Sequence, residues 1–133
     1  MGKGAMFIIV RTVFLFWLLM QPSTSFPFER KTTIVVKNEL EGRQDLFLHC
    51  ISKDNDLGVQ HLRSNETTKW SFGVNFLLTT LFHCSFEWKG ASQKFVIYDA
   101  RRDFHVCDLC SWIVREKGPC IVFENLQCFD WNS

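Results

Sequence analysis

Six cysteines, Cys50, Cys84, Cys107, Cys110, Cys120 and Cys128, stand in a chain of 133 residues, and all of them follow an apolar amino-terminal stretch. Thiols in such number imply a cross-link, a metal or redox chemistry, and the compartment decides among the three. The amino terminus indicates the compartment. Lys3 supplies a positive start, residues 5–20 are apolar apart from Arg11 and Thr12, and Ser23, Thr24 and Ser25 offer a small-residue cleavage site. That is the pattern of a secretory signal peptide. As a membrane anchor the run is too short and is broken by Arg11, since a span needs about 20 residues. The sequence therefore predicts a signal peptide over 1–25, a secreted domain over 26–133, no membrane insertion after cleavage, and cysteines that oxidise to disulfides.

Cleavage removes Lys3 and Arg11 and moves the formal charge from +1 to −1. Neither a nucleic-acid surface nor a polybasic membrane patch fits that balance. Short apolar runs alternate with turn chemistry along the rest of the chain. Leu46, Leu48 and Cys50 share one parity, as do Trp70, Phe72, Val74 and Phe76, then Phe82, Cys84, Phe86 and Trp88, then Cys110, Trp112 and Val114. Alternation of this kind marks half-buried β-strands. About eight strands at roughly ten-residue spacing predict an all-β fold, a small disulfide-bonded antiparallel β-sandwich with aromatic inner rows. The rows at 70–76 and 79–88 are expected to pair through a tight connection near Leu77 and Leu78.

Parity also suggests a cysteine pairing. Cys107 and Cys110 differ by three positions and would face opposite ways in one strand. Cys84 and Cys110 both belong to inward rows, so a bond across the core is expected between them, leaving Cys50 for Cys107. Cys120 and Cys128 lie symmetrically about Glu124, where a hairpin turn would set them opposite each other. This is one of fifteen connectivities, and the sequence alone does not decide it.

Chemistry-bearing motifs are few. "CDLC" at 107–110 has the spacing of a zinc or redox pair, but an oxidising compartment favours a disulfide, and its flanks read as strand rather than the helix start that thioredoxin-type chemistry uses. "DNDLG" at 54–58 departs from a calcium loop, with Gly58 fifth instead of sixth and Asn65 in the twelfth place where Glu is needed. His49, His61, His83 and His105 lie outside any recognisable catalytic pattern. No catalytic residue, metal ligand or cofactor is predicted, and the chain is read as a non-enzyme. Asn65-Glu66-Thr67 forms a glycosylation sequon at Asn65.

Four segments, "LHCISKDNDLG" (48–58), "WSFGVNFLLTTLFHCSFEW" (70–88), "CDLCSWIVREKGPC" (107–120) and "CFDW" (128–131), resemble in that order the plant self-incompatibility protein family, the S-protein homologues. The resemblance runs through nearly all of the chain beyond the signal peptide. It implies a small secreted β-sandwich. It also implies that Cys50, Cys84, Cys107 and Cys110 are the family's usual cysteines, and that Cys120 and Cys128 are a pair found in only some members. "DND" stands where "DDD" is common. The best-known member, the stigma determinant of poppy, is a ligand for a pollen membrane receptor.

The resulting expectation is a secreted, apoplastic ligand in plant cell-to-cell recognition whose partner is a plasma-membrane receptor on another cell. The alternative is a defence protein or enzyme inhibitor of the apoplast. Loops carry binding on rigid sandwiches. The expected receptor-binding loops therefore hold Asp54, Asn55 and Asp56; Arg63 and Lys69; Lys89; and Arg101 and Arg102.

Overall fold

Thr32, Ile34, Val36 and Asn38 are buried while the residues between them are not, as the β-branched run from residue 32 requires of a strand with one face on a core. This strand, β1 (Arg30–Asn38), opens the computed structural model, which describes residues 30–131. The expected signal peptide lies outside the described residues. A short 3-10 turn follows at Glu41–Arg43, then β2 (Leu46–Ile51), β3 (Asp56–Leu62), β4 (Thr67–Val74), β5 (Leu81–Trp88) and β6 (Ala91–Asp99). A single helical turn, α1 (Ala100–Asp103), leads to β7 (Leu109–Arg115), β8 (Gly118–Val122) and β9 (Leu126–Cys128). Among the described residues no helix is long and apolar enough to cross a membrane.

The nine strands form two sheets, ordered β4-β1-β7-β8-β9 and β3-β2-β5-β6. All pairs are antiparallel except β1 with β7, which run parallel from Thr33↔Leu109 to Asn38↔Val114. The expected antiparallel sandwich thus carries one parallel pair. The inner rows are aromatic: Phe72 meets Phe82 at 4.6 Å and Tyr98 at 5.0 Å between ring centroids, and Phe95 meets Trp112 at 5.3 Å. Phe82, Phe95, Tyr98 and Trp112 are buried, and full burial of a side chain of this size contributes about 1.5–3 kcal/mol by leaving water.

Two sequence expectations are corrected here. The rows at 70–76 and 79–88 do not pair; β4 joins β1 in one sheet and β5 joins β2 and β6 in the other. The connection between them carries the chain from sheet to sheet, with Leu78 in the left-handed region at φ 57°. Of the three expected cysteine bonds, one forms. Cys120 bonds Cys128 across the β8–β9 hairpin. Cys50 bonds Cys84 instead of Cys107, because the two are directly opposite on adjacent strands with Cα atoms 4.1 Å apart. Cys107 bonds Cys110, and the parity argument fails because β7 begins only at Leu109, leaving Cys107 in the turn after α1. None of the three disulfides joins one sheet to the other.

Polar and aromatic groups do that work. Buried Asn38, ending β1, donates from Nδ2 to the carbonyls of Gln44 (2.7 Å) and Leu62 (3.0 Å), the latter closing β3 in the other sheet. The two C-terminal motifs also meet: Phe129 N donates to Pro119 O at 2.9 Å, and the indole Nε1 of Trp131 donates to Glu116 O at 2.8 Å. Trp131 then packs on Phe86 and Trp88 of the opposite sheet. Gly118 sits so close under the Phe129 carbonyl that a Cβ there would overlap it.

Candidate recognition surface

Strand direction sorts the loops between two ends of the sandwich. The turns at 52–55, 75–80, 100–108 and 123–125 lie at the end where β1 begins, and those at 39–45, 63–66, 89–90 and 116–117 at the end where it finishes. The expected receptor-binding residues are thus divided. Asp54, Asn55, Asp56, Arg101 and Arg102 share the first end, Arg63 and Lys89 share the second, and Lys69 lies within β4 opposite Val35. They do not form one continuous surface.

The first end carries a cleft of about 560 Å³ between the sheets. Phe72 and Phe82 line its apolar side, and the 52–55 turn, Asn75, Thr79, Thr80 and His83 supply the polar side. Asn75 holds the 75–80 loop: its Oδ1 accepts from Thr79 N at 3.0 Å, its Nδ2 donates to Thr79 Oγ1 at 2.7 Å, and its own N–H donates to Thr80 Oγ1 at 3.1 Å. So tied, the loop presents Phe76 and Leu77, 70% and 67% exposed. Sequence reasoning missed both: it read Phe76 as the end of an inward aromatic row and Leu77 as part of a tight connection. A polar Asn and two Thr bracketing an apolar triplet were the available signal.

The 52–55 turn closes through Ser52 N to Asn55 O (2.7 Å) and Asn55 N to Ser52 Oγ (3.1 Å). Asp56 next to it is committed to structure. Its Oδ1 accepts from Gly58 N at 2.9 Å and meets His49 Nε2 at 2.5 Å, and these contacts, the backbone donor first, hold its carboxyl below the usual range. Gly58 takes φ 71°, which glycine adopts without strain. "DNDLG" is therefore a turn and strand start.

Arg102 is likewise engaged. Its Nε and Nη2 each lie 2.7 Å from the carboxylate of Asp103, which is buried, and its guanidinium stands 5.7 Å from both the Phe95 and Trp112 rings. Asp99 caps α1 by accepting from Arg101 N at 3.0 Å, leaving the Arg101 side chain in solvent. At the other end Asn65 is exposed in a turn at φ 65°, its N–H bound to Asn38 O at 2.8 Å. Two of the imidazoles have partners: His49 has Asp56, and His61 has Asp45 at 3.1 Å and the Phe47 ring at 4.5 Å. Among the described residues no three His, Cys, Asp or Glu side chains are grouped as metal ligands.

Residues 33–131 match the family model described as plant self-incompatibility protein S1. The chain belongs to the plant self-incompatibility protein family. Among Arabidopsis thaliana relatives of this S-protein homologue, S-protein homolog 5 is 39% identical over 105 residues, covering 79% of this chain and 81% of that protein. S-protein homolog 3 is 37% identical over 123 residues, covering 85% and 82%. In fold, the S-protein homologue superposes with TM-score 0.59 and 22% identity, over 79% of its own chain and 97% of the other, on a solved structure of SPH (Self-Incompatibility Protein Homologue) proteins. Those are described as a widespread family of small, highly stable, secreted proteins from plants.

Proposed function

We propose that this S-protein homologue is a secreted, non-enzymatic ligand, displayed in the apoplast and recognised by a plasma-membrane receptor on another plant cell, with the cleft end of the sandwich as its contact surface. One observation carries the reading: the loops at 52–55 and 75–80 rim the cleft there, with 100–108 and 123–125 at the same end, and Phe76 and Leu77 stand exposed beside it on a scaffold that carries three disulfides. An exposed aromatic-aliphatic tip with polar neighbours is the composition of a recognition patch. A glycan on Asn65 would sit at the opposite end and leave the cleft uncovered. Family membership and the secreted solved relatives support the compartment. The same stiffened tip also suits inhibition of an extracellular enzyme, the second reading. Binding of labelled protein to intact plant cells, with cleft-end loops exchanged for those of S-protein homolog 5, separates the first reading from the second.

A further inference from the structure

The geometry points to the free edge of β4 as a site that takes up an extended segment of a partner protein as an added strand, with an acidic side chain of that segment facing Lys69. This deepens the receptor reading above and rests on it for the partner's origin.

Each sheet has two edges, and three of the four are blunted. β3 carries a register shift beside Ile51 and left-handed Gly58. β6 carries an irregularity where its pairing with β5 passes from Phe82↔Tyr98 to His83↔Val96. β9 is three residues long and cross-linked to β8. Bulges, shortness and edge lysines are the usual devices that keep an edge from pairing. β4 has neither bulge nor shortness, and its one charged side chain is Lys69. It pairs with β1 at eight consecutive positions, Arg30↔Val74 to Lys37↔Thr67, without a shift, and its other side borders no strand among the described residues.

The edge is also pocketed. Beside Thr68 and Trp70 lies a hollow of about 160 Å³ backed by Leu48 and Leu57, and beside Phe72 and Gly73 opens the 560 Å³ cleft. Thr68 and Phe72, which line the two hollows, are four residues apart along β4, roughly 13 Å at ~3.3 Å per residue. A strand laid on β4 turns alternate side chains inward, so residues i and i+4 of the incoming segment would enter the two hollows. Main-chain bonds supply affinity and the hollows supply selectivity.

Charge selects the occupant. Lys69 lies on the outer face of β4, and Lys31, opposite Gly73, lies on the same face of β1; neither has an ion-pair partner among the described residues. In a second copy paired edge to edge, two uncompensated Lys69 side chains would share one face across the joint, which like-charge repulsion opposes. A carboxylate of a partner segment compensates Lys69.

The test is selection of random decapeptides displayed on phage against the folded protein, without any receptor. Enriched peptides are expected to alternate, with apolar residues at i and i+4 and acidic residues on the other parity. They should shift the amide resonances of β4, lose binding when alternate peptide amides are N-methylated, and bind Lys69→Glu at least tenfold more weakly. No enrichment, peptides that tolerate N-methylation, shifts confined to loops, or a β4-mediated dimer in sedimentation equilibrium would each overturn the proposal. Cell binding that persists while selection fails removes the edge and leaves the receptor reading standing; selection that succeeds without cell binding does the reverse.

Discussion

Asn38 Nδ2 donates to the carbonyl of Leu62 at 3.0 Å and so joins the last residue of β1 to the last residue of β3 in the facing sheet. The same side chain reaches Gln44 O, its Oδ1 accepts from Leu40 N at 3.0 Å, and its main chain exchanges bonds with Glu66 O and Asn65 N. With all three disulfides confined to one sheet or one turn, this residue is a polar link between the layers. Asn38→Leu should lower stability by about 2–4 kcal/mol, since it strands buried carbonyls, measured by urea unfolding with disulfides intact. A loss under about 0.5 kcal/mol, the surface-substitution range, would show that packing alone holds the sheets.

Gly118 and Trp131 seal the other contact between motifs. Gly118→Ala should cost about 2 kcal/mol or more, because a methyl group must displace the Phe129 carbonyl. Trp131→Phe should cost less, about 1 kcal/mol, for the lost bond to Glu116 O. Denaturation midpoints that reverse this order would contradict the close approach.

Disulfide contributions should rank with the chain they close. The sequence separations are 34 for Cys50–Cys84, 8 for Cys120–Cys128 and 3 for Cys107–Cys110. Loop-closure entropy then gives about 4, 2.5 and 2 kcal/mol respectively. Replacing each pair by alanine or serine and measuring unfolding tests the ranking, and a non-reducing peptide map tests the connectivity itself.

Two groups give pH dependence of opposite sense. Asp56 is held below the ordinary carboxylate range by Gly58 N–H and His49, so its contribution is present above about pH 4, the unfolded value, and is lost as pH falls through the depressed folded value. In Asp56→Asn that acid limb should flatten. Tyr98 is the only tyrosine in the chain, and burial, with the nearby Thr32 hydroxyl opposing, raises its phenol above the usual value near 10. Its contribution is present below the unfolded value and disappears as pH rises through the raised one. Phenolate absorbance in the native protein should therefore develop at higher pH than in the unfolded chain.

Much of the fold was written in local alternation. Leu46, Leu48 and Cys50, or Cys110, Trp112 and Val114, face inward because a strand with one buried face has a period of two. Cys120–Cys128 was legible because a short hairpin fixes its own register. Sheet membership was not, because nothing near Leu77 distinguishes a hairpin from a crossing between sheets; the difference lies in β1 and β2, far away in sequence. Cys107 misled because α1, capped by Asp99, ends the strand pattern inside "YDARRDFH". The recognition end was hidden for the same reason. Only strand pairing tells which loops are neighbours, so Asp54 and Arg63, both in polar turns, read alike yet lie at opposite ends.

The most direct test is saturable binding of fluorescently labelled, secreted protein to intact plant cells, compared for two chimeras. One carries the 52–55, 75–80 and 100–108 loops of S-protein homolog 5, the other its 63–66 and 89–90 loops. The account expects saturable binding that the first exchange reduces at least tenfold and the second leaves within twofold, at unchanged thermal stability. Binding unaffected by the cleft-end exchange, or no saturable binding to any cell type, would contradict it.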